Sequence, residues 1–502
     1  MKLNQKKGGV ILSYIQMILN VLVKFIYTPF LLAELGQQEY GLYSLVISIV
    51  GYMTILDFGF GNAVTRYTVK YNSENDSESL YKLWGTFSVL YIIIGVVAML
   101  ICLGISFGAG SLFGNSMSGY EVSRIRIMIV LCGINLLFCF PLQISPSILV
   151  AYERFVFKNA VNVIKILLQP TVLLLLLYLV HIKAVGAIVV VTSFNLLTYI
   201  VYYIYAVVKL GFKFSMKKFD SSLVKTILGY SLWMFMLTIF EQLQFNSGQF
   251  ILGMHLGAET VAVWGIAMIF VLNFRSISTA ITNVYMPSYM NLVFVGQNAE
   301  LNLLTTKMVR LQSIAIFTVL ANFIVFGREF IELWAGDTYI DSYIPAVIVL
   351  IAMSMSLLLD FTYLTQMAKN DLKFRVVSLF ACLIISYVIV IPTMGYSLLS
   401  FAVFMATSIL SGQVVAMIVY IKKKTDYSLR KIFFNILKMM LIPAVMVVVT
   451  MLSRSFLFTQ HTNHSTIIFL IAIVIFNIIL LSLYWILAFN KDEKGLVKRF
   501  IK

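Results

Sequence analysis

One face of a helix near the N-terminus carries the most informative spacing in this chain. Ser13, Gln16, Asn20, Lys24 and Thr28 recur every three or four residues inside an apolar stretch, so they share one helical face. A lysine inside a membrane span costs roughly 2.5–3.5 kcal/mol on insertion scales. It is therefore expected to face a watery cavity or a partner charge. Lys165 lies in another apolar stretch between Asn162 and Gln169. Glu241 and Gln242 lie in a third, on a face continued by Thr238, Asn246 and Gln249. Arg275 is flanked by Asn273, Ser276, Thr279 and Asn283, and an arginine keeps its proton in any protein setting. Asp57 and Asp360 add two acids. Cations at mid-depth suit an anionic cargo, with Lys24, Arg275, Lys165, Asn20, Gln16 and Gln242 as its binding set. The acids Glu241, Asp57 and Asp360 suit a coupling proton or Na+. The competing reading of the same charges is a set of buried ion pairs that fix helix packing.

Other chemistry finds little support. Cys102, Cys132, Cys139 and Cys382 all fall in apolar stretches without a CxxC pair, which reads as small buried hydrophobes. His181, His255, His461 and His464 show no metal-ligand spacing, and the chain has no GxxxxGK phosphate loop. No catalytic residue set, metal or cofactor is expected.

The elements that must position these groups are membrane helices. The chain is 61% hydrophobic and 12% charged, against about 25% charged residues in a soluble domain. About fourteen apolar stretches have the ~20-residue length that crosses hydrocarbon as helix. The gaps between them leave no soluble domain. The formal net charge is +16, but the basic clusters around Lys2 to Lys7, Lys209 to Lys225, Lys422 to Lys431 and Lys491 to Lys502 fall on one side of the expected topology. That is the positive-inside pattern, with both termini cytoplasmic. It also suits contact with anionic membrane lipids and argues against nucleic acid as a partner. The N-terminal apolar stretch reads as the first span rather than a cleaved signal peptide.

An internal repeat is visible at an offset of 221. Leu35-Gly36, followed by Gly41-Leu42-Tyr43, matches Leu256-Gly257, followed by Ala262-Val263-Trp264. The same offset sets Asn20 on Glu241 and Asn62 on Asn283. The expected fold is an all-α integral membrane protein. Two pseudo-symmetric six-helix bundles, residues 1–210 and 211–425, would surround a central cavity. Residues 426–502 would add two transmembrane helices and a basic cytoplasmic tail. Such parallel repeats place a binding cleft between the halves. Gly59 and Gly61, after Asp57-Phe58, are read as a hinge or, equally, as a site of tight helix packing.

Leu35-Gly36, Tyr40 to Tyr43, Asp57-Phe58-Gly59 and Arg66-Tyr67 resemble the first two spans of the polysaccharide-transporter family, which includes the Wzx-type O-antigen flippases. These belong to the multidrug/oligosaccharidyl-lipid/polysaccharide exporter superfamily. The resemblance implies a flippase that moves undecaprenyl-diphosphate-linked oligosaccharides from the cytoplasmic to the outer leaflet of the bacterial inner membrane by alternating access. It also implies work beside other polysaccharide assembly proteins. In the related lipid II flippases, basic residues on the first, second and eighth spans hold the diphosphate. Lys24 and Arg275 match two of those places, while the second span offers only Arg66 at its inner end. A cation-coupled multidrug exporter of the same superfamily is the alternative, kept open by Glu241 and Asp57. A membrane polymerase or ligase would need a substantial outer loop with catalytic residues. The longest outer loops, around 108–126 and 328–343, are short and hold no paired His or acid cluster.

Overall fold

A computed structural model of the chain describes residues 5–57, 59–213, 221–369, 371–425, 427–457, 466–490 and 494. Lys2, Phe58, His461, His464 and most of the basic tail lie outside the described residues. Those described form helices, turns and loops, with no strand among them. The fold is all-α, and its long apolar helices make it a multi-pass membrane protein.

Among the described residues, twelve helical segments are long and apolar enough to cross a membrane. Two of them are far too long for one crossing: 63 residues over Ile11–Ser73 and 64 residues over Leu232–Val295. At a rise of ~1.5 Å per residue, each could span ~30 Å of hydrocarbon about three times over. Each is broken at a glycine, and the first is interrupted again by a 3-10 turn and left-handed Gly59 before residue 60. Gly36 lies inside helix α1 (Gln5–Met53) with φ 71° and ψ 170°. Gly257 lies inside helix α8 (Ser221–Val295) with φ 83° and ψ −179°. That backbone region is essentially closed to residues with a Cβ. The breaks at Gly36 and Gly257 fall where the sequence repeat places its two tight turns; about fourteen spans were expected, and twelve continuous segments are seen among the described residues.

The chain divides into two compact units, Met1–Gly265 and Ile266–Lys502. In the first, α1 is followed by a short 3-10 turn, Thr54–Asp57, and by α2 (Phe60–Ser73), α3 (Ser77–Phe113) and α4 (Gly119–Leu142). Next come α5 (Ile144–Ala151), α6 (Phe155–Val180) and α7 (Ala184–Leu210). Helix α3 packs along α4, α4 along α7, and α1 along α6. Starts are set by side-chain caps: the Asp76 carboxylate accepts from the Ser79 amide at 3.0 Å, and Ser118 forms a capping box with Glu121 at the start of α4. Trp84, Phe87 and Tyr91 are fully buried, and Trp84 Nε1 donates to Thr68 Oγ1 at 3.2 Å.

The second unit contains α9 (Asn298–Ala335), α10 (Tyr343–Leu357), α11 (Phe361–Ala368), α12 (Lys373–Met394) and α13 (Leu398–Ser408). It continues through a π-helical stretch at Ile409–Val415 into α14 (Ala416–Lys424), then α15 (Leu429–Leu457) and α16 (Thr466–Leu483). Helix α15 packs on α9, and α10 and α12 both pack on α13.

Candidate substrate cavity

Helices α1 and α6 run side by side in the same direction. Gln5 Oε1 accepts from the Val156 amide at 3.3 Å. Asn159 Nδ2 donates to the Gly9 carbonyl at 2.9 Å and to Ser13 Oγ at 2.7 Å. Further along this seam the side chains part around a cavity of about 380 Å³. Its α1 wall is Gln16, Asn20, Val23, Lys24 and Tyr27; its α6 wall is Asn162, Lys165, Ile166, Gln169 and Pro170; Tyr43 closes one end. Pro170 sits inside α6, where a proline removes a backbone donor and bends the helix.

Four of the six expected binding residues, Gln16, Asn20, Lys24 and Lys165, therefore meet in one cavity. The charges in it are both positive, and no carboxylate lines it among the described residues. The Lys24 ammonium has no hydrogen-bond or ion-pair partner among the described residues, and its side chain is exposed. Lys165 donates to Asn195 Oδ1 on α7. A packing ion pair therefore does not account for either lysine. Two ammonium groups beside four amide side chains offer donors in the number that a diphosphate can accept. Tyr27 and Tyr43 are not in the binding set expected from sequence, where Tyr43 enters only through the repeat and the family motif. The signal for Tyr27 was present, since it follows Lys24 by three residues and Asn20 by seven.

The other expected residues lie elsewhere. Gln242 does not line this cavity; on α8 it accepts a hydrogen bond from Asn246 Nδ2. Glu241 is exposed on the same helix. Asp57 ends the 3-10 turn and accepts from Tyr91 OH at 2.9 Å. In the second unit Arg275 is half-buried on α8, and Asp360 accepts from Ser278 Oγ at 3.3 Å. Gly59 is left-handed, with φ 71°, at the break before α2. A Cβ on Gly61 would lie 3.1 Å from Ser147 Oγ of α5.

Sequence spacing also fails to single out Arg310, which is 5% exposed on α9. Its guanidinium donates to Asn435 Oδ1 of α15 at 3.0 Å and to the Ala488 carbonyl after α16 at 2.8 Å. These contacts tie the last two helices to α9 within the second unit.

The apolar helices make the chain a multi-pass membrane protein, with a polar cavity inside its first unit. Residues 6–293 match the family described as polysaccharide biosynthesis protein. That match covers more than half of the chain, and the protein belongs to this family. A Shigella flexneri protein named "Putative O-antigen transporter" is 23% identical over 320 residues, 62% of this chain and 72% of that protein. Among solved structures, the lipid II flippase MurJ in an inward closed conformation matches with a TM-score of 0.70 at 15% identity. It covers 95% of this chain and 98% of its own. An inward-facing multidrug resistance transporter of the MATE family matches with a TM-score of 0.59 at 14% identity, over 88% of this chain and 98% of its own.

Proposed function

We propose that this protein is a flippase for lipid-linked oligosaccharides. It carries undecaprenyl-diphosphate-linked repeat units from the cytoplasmic to the outer leaflet of the bacterial inner membrane, with both termini cytoplasmic. The observation that carries the reading is the cavity between α1 and α6, which holds Lys24 and Lys165 and no carboxylate among its described lining residues. A large polar head cannot cross hydrocarbon unaided. A polar cavity lets the diphosphate exchange water for charge-assisted donors while the tail stays among lipids. Gln16 and Asn20 supply neutral donors there, while Arg275 and Gln242 are candidate binding residues outside that cavity. Asp57, Glu241 and Asp360 are the groups through which a proton or Na+ gradient would drive the cycle. The family description and the Shigella relative's name support this reading. Other polysaccharide assembly proteins would supply the repeat unit and receive it.

A cation-coupled drug exporter is the second reading, favoured by the MATE likeness. Two ammonium groups in the cavity would repel cationic drugs, which places it behind the flippase.

The deciding measurement is the leaflet distribution of lipid-linked repeat units in cells with and without the protein. Accumulation facing the cytoplasm in its absence, reproduced by Lys24→Ala at normal protein level, supports the reading. Unchanged arrival at the outer leaflet overturns it, and a susceptibility panel of cationic dyes then tests the exporter.

A further inference from the structure

The same two helices frame a second cavity of about 410 Å³ further along their seam. Here α1 contributes Glu34 to Glu39, the α6–α7 turn contributes His181 to Lys183, and Tyr120 of α4 forms another wall. The walls are held by one buried carboxylate. Glu39, 6% exposed, accepts from Tyr120 OH at 2.9 Å and from the Ala184 amide at 2.9 Å. It thereby pins the α1 turn to the starts of α4 and α7. Lys183 and Arg124 both lie over the Tyr120 ring, at 5.6 and 5.0 Å, which keeps that ring in place.

Three side chains inside this rigid frame remain open. Glu34, Gln38 and His181 line the cavity, are exposed, and have no side-chain hydrogen-bond partner among the described residues. His181 is held at φ 52° where α6 ends. Leu35, Leu177 and Ile182 add apolar surface between them. A carboxylate, an amide and an imidazole above an apolar floor suit a hydroxyl-rich, neutral ring. Glu34 and Glu39 outnumber the lining cation Lys183, which is engaged with Tyr120 OH at 3.3 Å, so the cavity does not favour phosphate.

From Lys24 to Glu34 the α1 axis advances ~15 Å, and from Lys165 to His181 the α6 path advances ~24 Å. A single sugar on a diphosphate held at the two lysines cannot bridge that gap, whereas an oligosaccharide can.

We propose that this second cavity is a glycan subsite that reads the distal, neutral sugars of the cargo and so favours complete repeat units over short precursors. The proposal rests on the flippase reading above. It is tested with the full chain in proteoliposomes, comparing polyprenyl-diphosphate-linked monosaccharide with polyprenyl-diphosphate-linked neutral tetrasaccharide. Glu34→Ala/Gln38→Ala is expected to lower the tetrasaccharide-to-monosaccharide rate ratio at least fivefold, whereas Lys24→Ala lowers both rates and leaves the ratio. An unchanged ratio in the double variant overturns the subsite. If the wild-type chain moves neither lipid, the flippase reading falls. Saturation-transfer NMR of free tetrasaccharide on the detergent-solubilised chain then decides the subsite alone. Binding lost in Glu34→Ala/Gln38→Ala upholds it, and no binding to wild type, or equal binding to the variant, overturns it.

Discussion

Gly36 and Gly257 stand 221 residues apart and break their helices with nearly the same backbone, φ 71°, ψ 170° in one and φ 83°, ψ −179° in the other. The Leu-Gly match seen in the sequence is thus also a match of conformation. Each redirects a helix too long for one crossing.

The two glycines differ in their surroundings, which sets up a stability prediction. A Cβ on Gly36 would meet nothing within 4 Å, while one on Gly257 would lie 2.7 Å from the Ser116 carbonyl oxygen. Gly36→Ala should cost the backbone strain alone, about 1–3 kcal/mol. Gly257→Ala should cost more, because a backbone oxygen cannot step aside cheaply. Thermal midpoints of the two purified variants check this, and equal losses would show that the Ser116 contact is relaxed without cost.

Lys24 and Lys165 share a cavity but not a status. The Lys165 ammonium already has Asn195, whereas the Lys24 ammonium has no partner among the described residues. Hydrogen bonds to charged groups contribute about 1.5–3 kcal/mol, so Lys24→Gln should lower the flipping rate roughly ten- to a hundredfold. Lys24→Arg, which keeps the charge, should retain most of the rate. Asn195→Ala should change it less than Lys24→Gln does, since it frees Lys165 rather than removing a cation. Initial rates in proteoliposomes decide the order. A Lys24→Gln variant at wild-type rate would remove this residue from the binding set.

Much of this cavity was readable because helical spacing is a local property. Gln16, Asn20 and Lys24 announce a common face within nine residues of sequence, and the seam then brings Lys165 opposite. Local spacing cannot show who stands across from whom. Glu39 looks like one more polar residue in a turn until its partners appear, 81 and 145 positions away. Glu34, Gln38 and His181 likewise read as solvated loop residues, because a concave wall made by two turns has no sequence period. Arg310 sits near the start of its apolar stretch, and its acceptors are 125 and 178 residues distant.

Asp57 offers a test of coupling. Its carboxylate is half-buried and accepts from Tyr91 OH at 2.9 Å, so an amide in its place can keep that bond while losing the proton-binding group. Asp57→Asn should leave folded yield intact and abolish acceleration of transport by an imposed pH gradient. Tyr91→Phe should keep the gradient response but alter its pH midpoint, because a hydrogen-bond donor to the carboxylate is lost. Full acceleration in Asp57→Asn would move the coupling role to Glu241 or Asp360.

Arg310 should matter for assembly rather than for cargo. Its guanidinium joins α9 to Asn435 of α15 and to the backbone after α16. Elsewhere among these helices, Asn322 and Asn477 exchange two amide hydrogen bonds at 3.0 and 2.8 Å, and Tyr484 OH donates to the Met439 carbonyl at 3.0 Å. Arg310→Met keeps comparable bulk but removes both charged donors and strands a buried carbonyl, at about 1.5–3 kcal/mol for each bond. The thermal midpoint should fall clearly. Asn435→Ala should lower it less, because the bond to Ala488 remains. Transport per folded molecule should stay near wild type in both, since neither residue lines a cavity described above. A loss of transport at unchanged stability would instead assign the last two helices a part in the transport cycle.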